Sequence, residues 1–365
     1  MPFRVPWLLT ICACGALGAS LPAQSAALPT TRVIPYKELA VPGRVDSGVP
    51  MTWTRIDGRQ TLVAFASWGG IPERMAGPDV EHLEVTGEVV IAPHPGDGIW
   101  FESVIPDQSD SVWYAYYHHE QPAHPCGRAD RSIPRIGAAV STDRGVTWTN
   151  LGIILEAPSN TYVCASTNTF VNGGVGDVSV MIDRDSKDAY LYYSSYERDP
   201  QAQGVSLARM AWADRDNPRG RVMVWRDGVW LPPVRKASAG ATPEWEYPSG
   251  TPLLRPEKPW HDGVEAADAF WGPSIHWNTS LGQYVMLLNR TKDEAFNNEG
   301  IYVSFAPRLD DPRAWSEPQK ILKAGGWYPQ VAGTEPGSTD KLMGRIGRLF
   351  LTGRSNHYIE FSGKF

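Results

Sequence analysis

Along most of the chain, apolar positions alternate with polar ones over runs of four to eight residues, and each run stops at a cluster of Gly, Asp, Asn or Pro. This period-2 pattern predicts β-strands joined by tight turns. Five hairpins are read from it. The first is Met51–Arg55, a turn at Asp57-Gly58, then Thr61 to Trp68. The second is Trp100 to Ile105, a turn near Asp107 to Asp110, then Val112 to Tyr117. The third is Val178 to Ile182, a turn at Asp183 to Lys187, then Ala189 to Tyr193. The fourth is Ser274–Trp277, a turn at Asn278 to Gly282, then Tyr284 to Leu288. The fifth is Leu342–Arg345, Gly347, then Leu349–Leu351, preceded by Gly326-Trp327-Tyr328-Pro329. Further strands lie between them: Ile136 to Ser141 with Val146–Trp148, Val205 to Ala211 with Val222 to Trp225, and Ile301 to Phe305 with Pro318 to Leu322.

Each unit thus holds about four strands, the content of one propeller blade. The predicted fold is all-β, a five-bladed β-propeller of four-stranded antiparallel blades. Five units in about 340 residues leave roughly 68 per blade, more than the roughly 40–50 of compact propeller repeats, and the surplus falls to loops. Loops gathered at one mouth build sites. Two packed sandwiches are the competing architecture; the even recurrence without a low-complexity linker favours one propeller.

The first residues read as an address. Arg4 precedes an apolar run from Val5 to about Leu21, and small residues follow through Ala27. That order predicts a secretory signal peptide over 1–26, with cleavage between Ala23 and Ala27. Ile11-Cys12-Ala13-Cys14 loosely resembles a lipoprotein acylation site, but too little apolar chain precedes it. Residues 27–365 form the single predicted domain, secreted or periplasmic, with no membrane span and a monomer as the expected form. Two cysteines then remain, Cys126 and Cys164. In an oxidising compartment they predict a disulfide. A metal site with His118, His119 or His124 is the alternative, though no CxxC or HExxH pattern supports it.

Composition sharpens this picture. The chain has 34 Lys+Arg against 40 Asp+Glu, a formal charge of −6, which argues against nucleic acid as a partner. It carries 35 Gly and 31 Pro, too dense for ordinary helices, and 15 Trp, more than a core requires. Surplus Trp suits sugars, which stack on flat aromatic faces. No P-loop, dinucleotide fingerprint or GxSxG elbow is present.

One local motif is specific. Ser141-Thr142-Asp143-Arg144-Gly145-Val146-Thr147-Trp148 fits S-x-D-x-G-x-x-W, the Asp-box of β-propellers. Asp143 is expected to accept backbone N–H groups at a turn and Trp148 to plug between strands, so both are structural. Sialidases carry several such boxes and an arginine triad; this chain has one clear box.

Three successive units place an acid at the start of their first strand: Asp46, Glu102 and Asp177, each among Gly and aromatic residues. Glu120 and Asp268 are further acids of less defined position. Here the chain resembles the five-bladed propeller glycoside hydrolases, the broad group containing families 43 and 32. The resemblance covers about residues 40 to 360 in architecture. In that group three acids from successive blades serve as base or nucleophile, pKa modulator and general acid. By position, Asp46 resembles the first-blade base or nucleophile, and Glu102 and Asp177 fall where the other two stand. The types depart from the pattern, since the group has Asp in the second blade and Glu in the third. The chemistry agrees independently: glycosidic cleavage needs one protonated carboxyl and one ionised carboxylate, and a third acid with an apolar wall raises the donor's pKa.

Candidate sugar contacts are Trp100, Trp271, Trp327 and Tyr328 as platforms, and His118, His119, Glu120 and His276 as hydroxyl partners. Arg290 and Arg354 would bind a carboxylate or pair with a structural acid. No cofactor is expected, and calcium at the ring's centre would be structural. A carbohydrate is the expected partner. The rival readings are a non-catalytic glycan- or protein-binding propeller, a sialidase-like hydrolase, and a polysaccharide lyase working through Tyr and His.

Overall fold

Short alternating runs cannot bury both faces alone, so the strands collect into sheets that stack on one another. In a computed structural model of the chain they form five such sheets around an axis. It describes Met1 and residues 28–363, except 185–186, 238–243, 262–266 and 324. The predicted signal peptide, with Cys12 and Cys14, lies outside the described residues. Among these residues the only helical segments are short 3-10 turns, and no helix is long and apolar enough to cross a membrane.

Blade I runs outward from the axis as Met51–Ile56, Arg59–Trp68, Ile71–Gly77 and Glu84–Glu88. Blade II is Gly98–Pro106, Trp113–Pro122, Ser132–Ser141 and Thr147–Leu155. Blade III begins with Val175–Ile182, Asp188–Ser195 and Gly204–Ala211, and blade IV with Ala269–Asn278, Gln283–Thr291 and Asn298–Ala306. Blade V is Gln330–Gly333, Ile346–Leu351 and Arg354–Ser362, and its outermost strand is Thr30–Ala40 from the other end of the chain. This last pairing, Val33 opposite Ile359, closes the ring. Apolar clusters fill each gap between blades, for example Val63, Phe65, Phe101 and Trp113 between I and II, and Val285, Leu287, Leu349 and Phe361 between IV and V.

Two expectations need correction. The blades are not uniformly four-stranded: II, III and IV belong to five-stranded sheets. Two of the additions are parallel. Val90–Ala92 runs beside Thr147–Leu155, and Leu342–Met343 beside the inner strand of blade IV. The fifth expected hairpin is instead divided between two blades. Leu342–Met343 serves blade IV, and the inner strand of blade V is Gln330–Gly333, paired with Ile346–Leu351. Two residues of parallel pairing leave no periodic signature.

The turn at Asp143 has the expected bonds. Its carboxylate accepts the backbone N–H groups of Val146 (3.1 Å) and Thr147 (2.9 Å), and Trp148, 2% exposed, donates to Gly145 O. Asn278, in the sequon Asn278-Thr279-Ser280, ends the inner strand of blade IV, where it is buried and its side-chain amide donates to Gly344 O.

Candidate active site

Three consecutive inner strands bulge at the same level. The register slips between Phe101 and Ser103 in blade II, between Gly176 and Ser179 in III, and between Trp271 and Ser274 in IV. A bulge bends a strand and re-aims its side chains. It turns Glu102, Asp177 and Gly272 toward the axis. Asp177 has φ 44°, Gly272 φ 58°, and Tyr328, entering blade V, φ 53°. For Asp and Tyr this is a strained conformation of the kind found at functional sites. The serines after the first two bulges bond the next blade: Ser103 Oγ accepts Val180 N–H and Ser179 Oγ accepts Ile275 N–H, each at 3.0 Å.

Two adjoining chambers result. The outer one is walled by Phe170, Trp271, Phe296, Trp327 and Tyr328 and carries Asp46, His118, Glu120, Asp177 and Tyr196. The inner one, on the axis, holds Glu102 with Gly48, Ser179, Gln330, Asp340 and Lys341; Asp177 and Tyr328 face both. The three acids read from the sequence thus meet at one end of the axis. The loop of Asp46 is pinned on both sides: Asp46 N donates to Ser67 O (2.8 Å), Gly48 N to Glu102 Oε2 (3.1 Å), and Val49 exchanges two bonds with Gln330.

Crowding sets the protonation. Burial raises the Asp46 pKa, and the charges of Asp177 and Glu120 raise it further. Burial, then Asp177, pushes Glu102 up to about 8, although it keeps a slice of surface open to the channel. Burial also raises Asp177, countered by His118 and by the Tyr196 hydroxyl, which donates to its Oδ2. Around His118 two effects oppose each other. Burial lowers its pKa, yet Glu120, Asp177 and Glu102 outweigh burial and pull it up to about 9. However, its Nδ1 accepts the Asp177 backbone N–H at 3.0 Å, and an accepting nitrogen holds no proton. The contact decides in favour of the neutral ring, with its proton on Nε2, 3.5 Å from Glu120 Oε1.

Several sequence candidates lie elsewhere. His119 neighbours His118 but points to the opposite face of the strand. It bonds Gly96 O (3.3 Å) and receives Arg135 Nε (3.3 Å). His276 is fully buried against Phe361, outside both chambers. Arg290 is taken by Asp268 in a two-pronged pair at 2.6 and 3.1 Å. Arg354 is exposed, pairs with Glu38 at 2.9 Å and lines a separate surface hollow. Trp100 packs edge to face against His118 at 5.6 Å and lines neither chamber. Trp271 lines the outer chamber but is 2% exposed, covered by Phe296, Trp327 and Tyr328. Trp327 and Tyr328 stay half-buried at the wall. Among the described residues no group of three or more His, Cys, Asp or Glu is disposed to hold a metal ion.

Sequence reasoning missed Tyr196, Phe170, Phe296, Gln330 and Lys341. Only Tyr196 had a local signal, as the end of the aromatic strand that pairs with the Asp177 strand. Phe170 stands on the loop tied by the Cys126–Cys164 disulfide, whose Cα atoms are 4.8 Å apart. That bridge closes a 38-residue span. Its reduction is expected to cost about 4 kcal/mol on the loop-entropy account. Urea unfolding with and without reductant measures this; coincident curves would show that the bridge contributes nothing.

No protein-family model and no curated protein matches the sequence. In three dimensions the chain is similar to an endo-arabinase from Bacteroides thetaiotaomicron: TM-score 0.51, 12% identity, covering 90% of this chain and 96% of that one. It is also similar to a thermostable family-43 glycoside hydrolase (TM-score 0.47, 13% identity, 90% and 93% covered). A third likeness is the catalytic domain of a family-62 α-L-arabinofuranosidase from Coprinopsis cinerea (0.46, 10%, 92% and 98%). At such identities the likeness to the endo-arabinase is one of fold alone, and it shows that this chain shares the overall architecture of that enzyme, here a ring of five β-blades.

Proposed function

We propose that the chain is a secreted glycoside hydrolase that cleaves a polysaccharide or oligosaccharide by carboxylate acid–base chemistry in the axial pocket. One observation carries the reading: Asp46, Glu102 and Asp177, from three successive blades, converge beside an aromatic-walled chamber. Hydrolysis needs a proton for the leaving oxygen and a carboxylate for water or for the sugar carbon. Glu102 is protonated near neutrality, which suits the donor side. Asp46 stands at the outer chamber, where it would serve as base or nucleophile. Asp177, clamped by Tyr196 and facing both chambers, would set the field between them.

The lyase and sialidase readings fare worse. Their substrates carry a carboxylate, and no Lys or Arg is among the described residues of the outer chamber. His119 and His276 are turned away from it. The deciding experiment incubates the chain with plant, algal and bacterial-wall polysaccharides and follows reducing ends and unsaturated-product absorbance together. New reducing ends without absorbance are expected. Absorbance at the product wavelength would replace hydrolysis by elimination, and glycan binding without any cleavage would favour a non-catalytic propeller.

A further inference from the structure

The segment between Gly333 and Ile346 of blade V does more than connect two strands. It returns across the channel, and its Leu342–Met343 pairs with the inner strand of blade IV. Just before that pairing, Asp340 Oδ1 accepts the Met51 N–H of blade I at 2.8 Å. The next residue, Lys341, sends its ammonium to Ser179 Oγ of blade III at 3.0 Å, 3.6 Å from Asp340 Oδ2. Its side chain is only 16% exposed. Lys341 is the one Lys or Arg among the described residues of the inner chamber, which it shares with Glu102.

Desolvating an ammonium is costly unless carboxylates answer it. Asp340 answers it from one side, and Glu102 faces the same chamber. A structural salt bridge with Asp340 alone would need no cation at the axis, yet the ammonium is carried past Asp340 to Ser179, at the level of the bulges. Resting on the reading that Glu102 belongs to the catalytic set, we propose that Lys341 is a positioning residue whose ammonium is the fixed counter-charge to Glu102 in the axial chamber.

The other groups facing Glu102 are Asp177, His118 and the Gly48 N–H. Asp177 disfavours the carboxylate and the Gly48 N–H favours it, while His118, held neutral by the Asp177 N–H, adds no charge. His276, on the inner strand of blade IV, also feels Lys341; burial and that charge hold it down to about 3, so it stays neutral and adds no charge. Lys341 is therefore the one Lys or Arg among the described residues lining this chamber; burial lowers its own pKa, and Asp340 and Glu102 oppose that shift.

The test follows the Glu102 carboxyl itself by carbon NMR of the full chain labelled at glutamate, its signal assigned by loss in Glu102→Gln. In Lys341→Met the titration midpoint is expected to rise by roughly half a pH unit, about a threefold change in the ionisation constant. Lys341→Arg should restore most of it. On an identified substrate, the alkaline limb of kcat/KM should move the same way. If Lys341→Met fails to fold, the double variant Lys341→Met/Asp340→Asn removes the stranded charge and carries the same expectation. An unmoved midpoint in a folded variant overturns the proposal. A moved midpoint in a chain that cleaves nothing supports the counter-charge and counts against the hydrolase reading instead.

Discussion

Asp46→Asn is expected to lower kcat/KM by about 10³-fold or more, within the usual worth of a positioned general base or nucleophile. The size follows from what the substitution leaves in place. The Asp46 backbone N–H, not its carboxylate, bonds Ser67 O, and Asn has nearly the same shape. The loop stays pinned by Gly48 and Val49. What disappears is the charge that activates water or attacks the sugar. Burial and the neighbouring Asp177 and Glu120 disfavour that charge, so its removal should not destabilise the fold. The assay is kcat/KM on the substrate found by the polysaccharide screen, with thermal melting as the control. Full activity in a folded Asp46→Asn chain would strip Asp46 of this role.

Glu102→Gln is expected to divide activity and stability. Turnover should fall by roughly 10²–10⁴-fold, since Gln keeps the shape of the protonated carboxyl but gives no proton. Stability should change in the opposite direction, by an amount that grows as the pH rises from about 4.5 to 8. The folded pKa of Glu102 is raised from 4.5 to about 8. The folded chain thus holds this proton more tightly than the unfolded chain. The stability it contributes is complete below about pH 4.5 and is lost as the pH climbs through 8. Gln does not titrate and keeps that stability throughout. The full shift would be worth on the order of 4–5 kcal/mol. Because Glu102 is partly open to the channel, screening reduces the expected gain to about 2 kcal/mol above pH 8. Urea midpoints at pH 4.5 and pH 8.5 read this directly. A variant that is no more stable than the parent at pH 8.5 would mean that Glu102 is ionised without strain, and it could not then be the proton donor.

The strand content was legible because it is local. Trp113 to Tyr117, Ala189 to Tyr193 and Tyr284 to Leu288 alternate or run apolar between Gly- and Asp-rich turns, and each is the second strand of its blade. The turn at Asp143 was legible for the same reason, since all its partners lie within five residues. The acids Asp46, Glu102 and Asp177 were legible as equivalent positions once the units were counted. Their convergence also depends on bulges that shift each inner strand by a residue, and only Ser103, Ser179 and Ser274, recurring just after them, mark these in the sequence.

Other features had no local signal. His118 and His119 are chemically alike and adjacent, so the face each takes depends on which blade packs against which side. For Arg290 and Arg354 the choice between a substrate carboxylate and a structural acid is settled only when Asp268, 22 residues away, and Glu38, 316 residues away, are brought beside them. Thr30–Ala40 closes the ring against the far end of the chain, and Lys341 reaches Ser179 across 162 residues. Strand period and turn type are set by neighbours a few bonds apart, so the sequence alone determined them. The closure of the ring, the aim of each inner strand and the charge balance on the axis are set by groups that meet only after the blades pack, and the tertiary structure alone decided those.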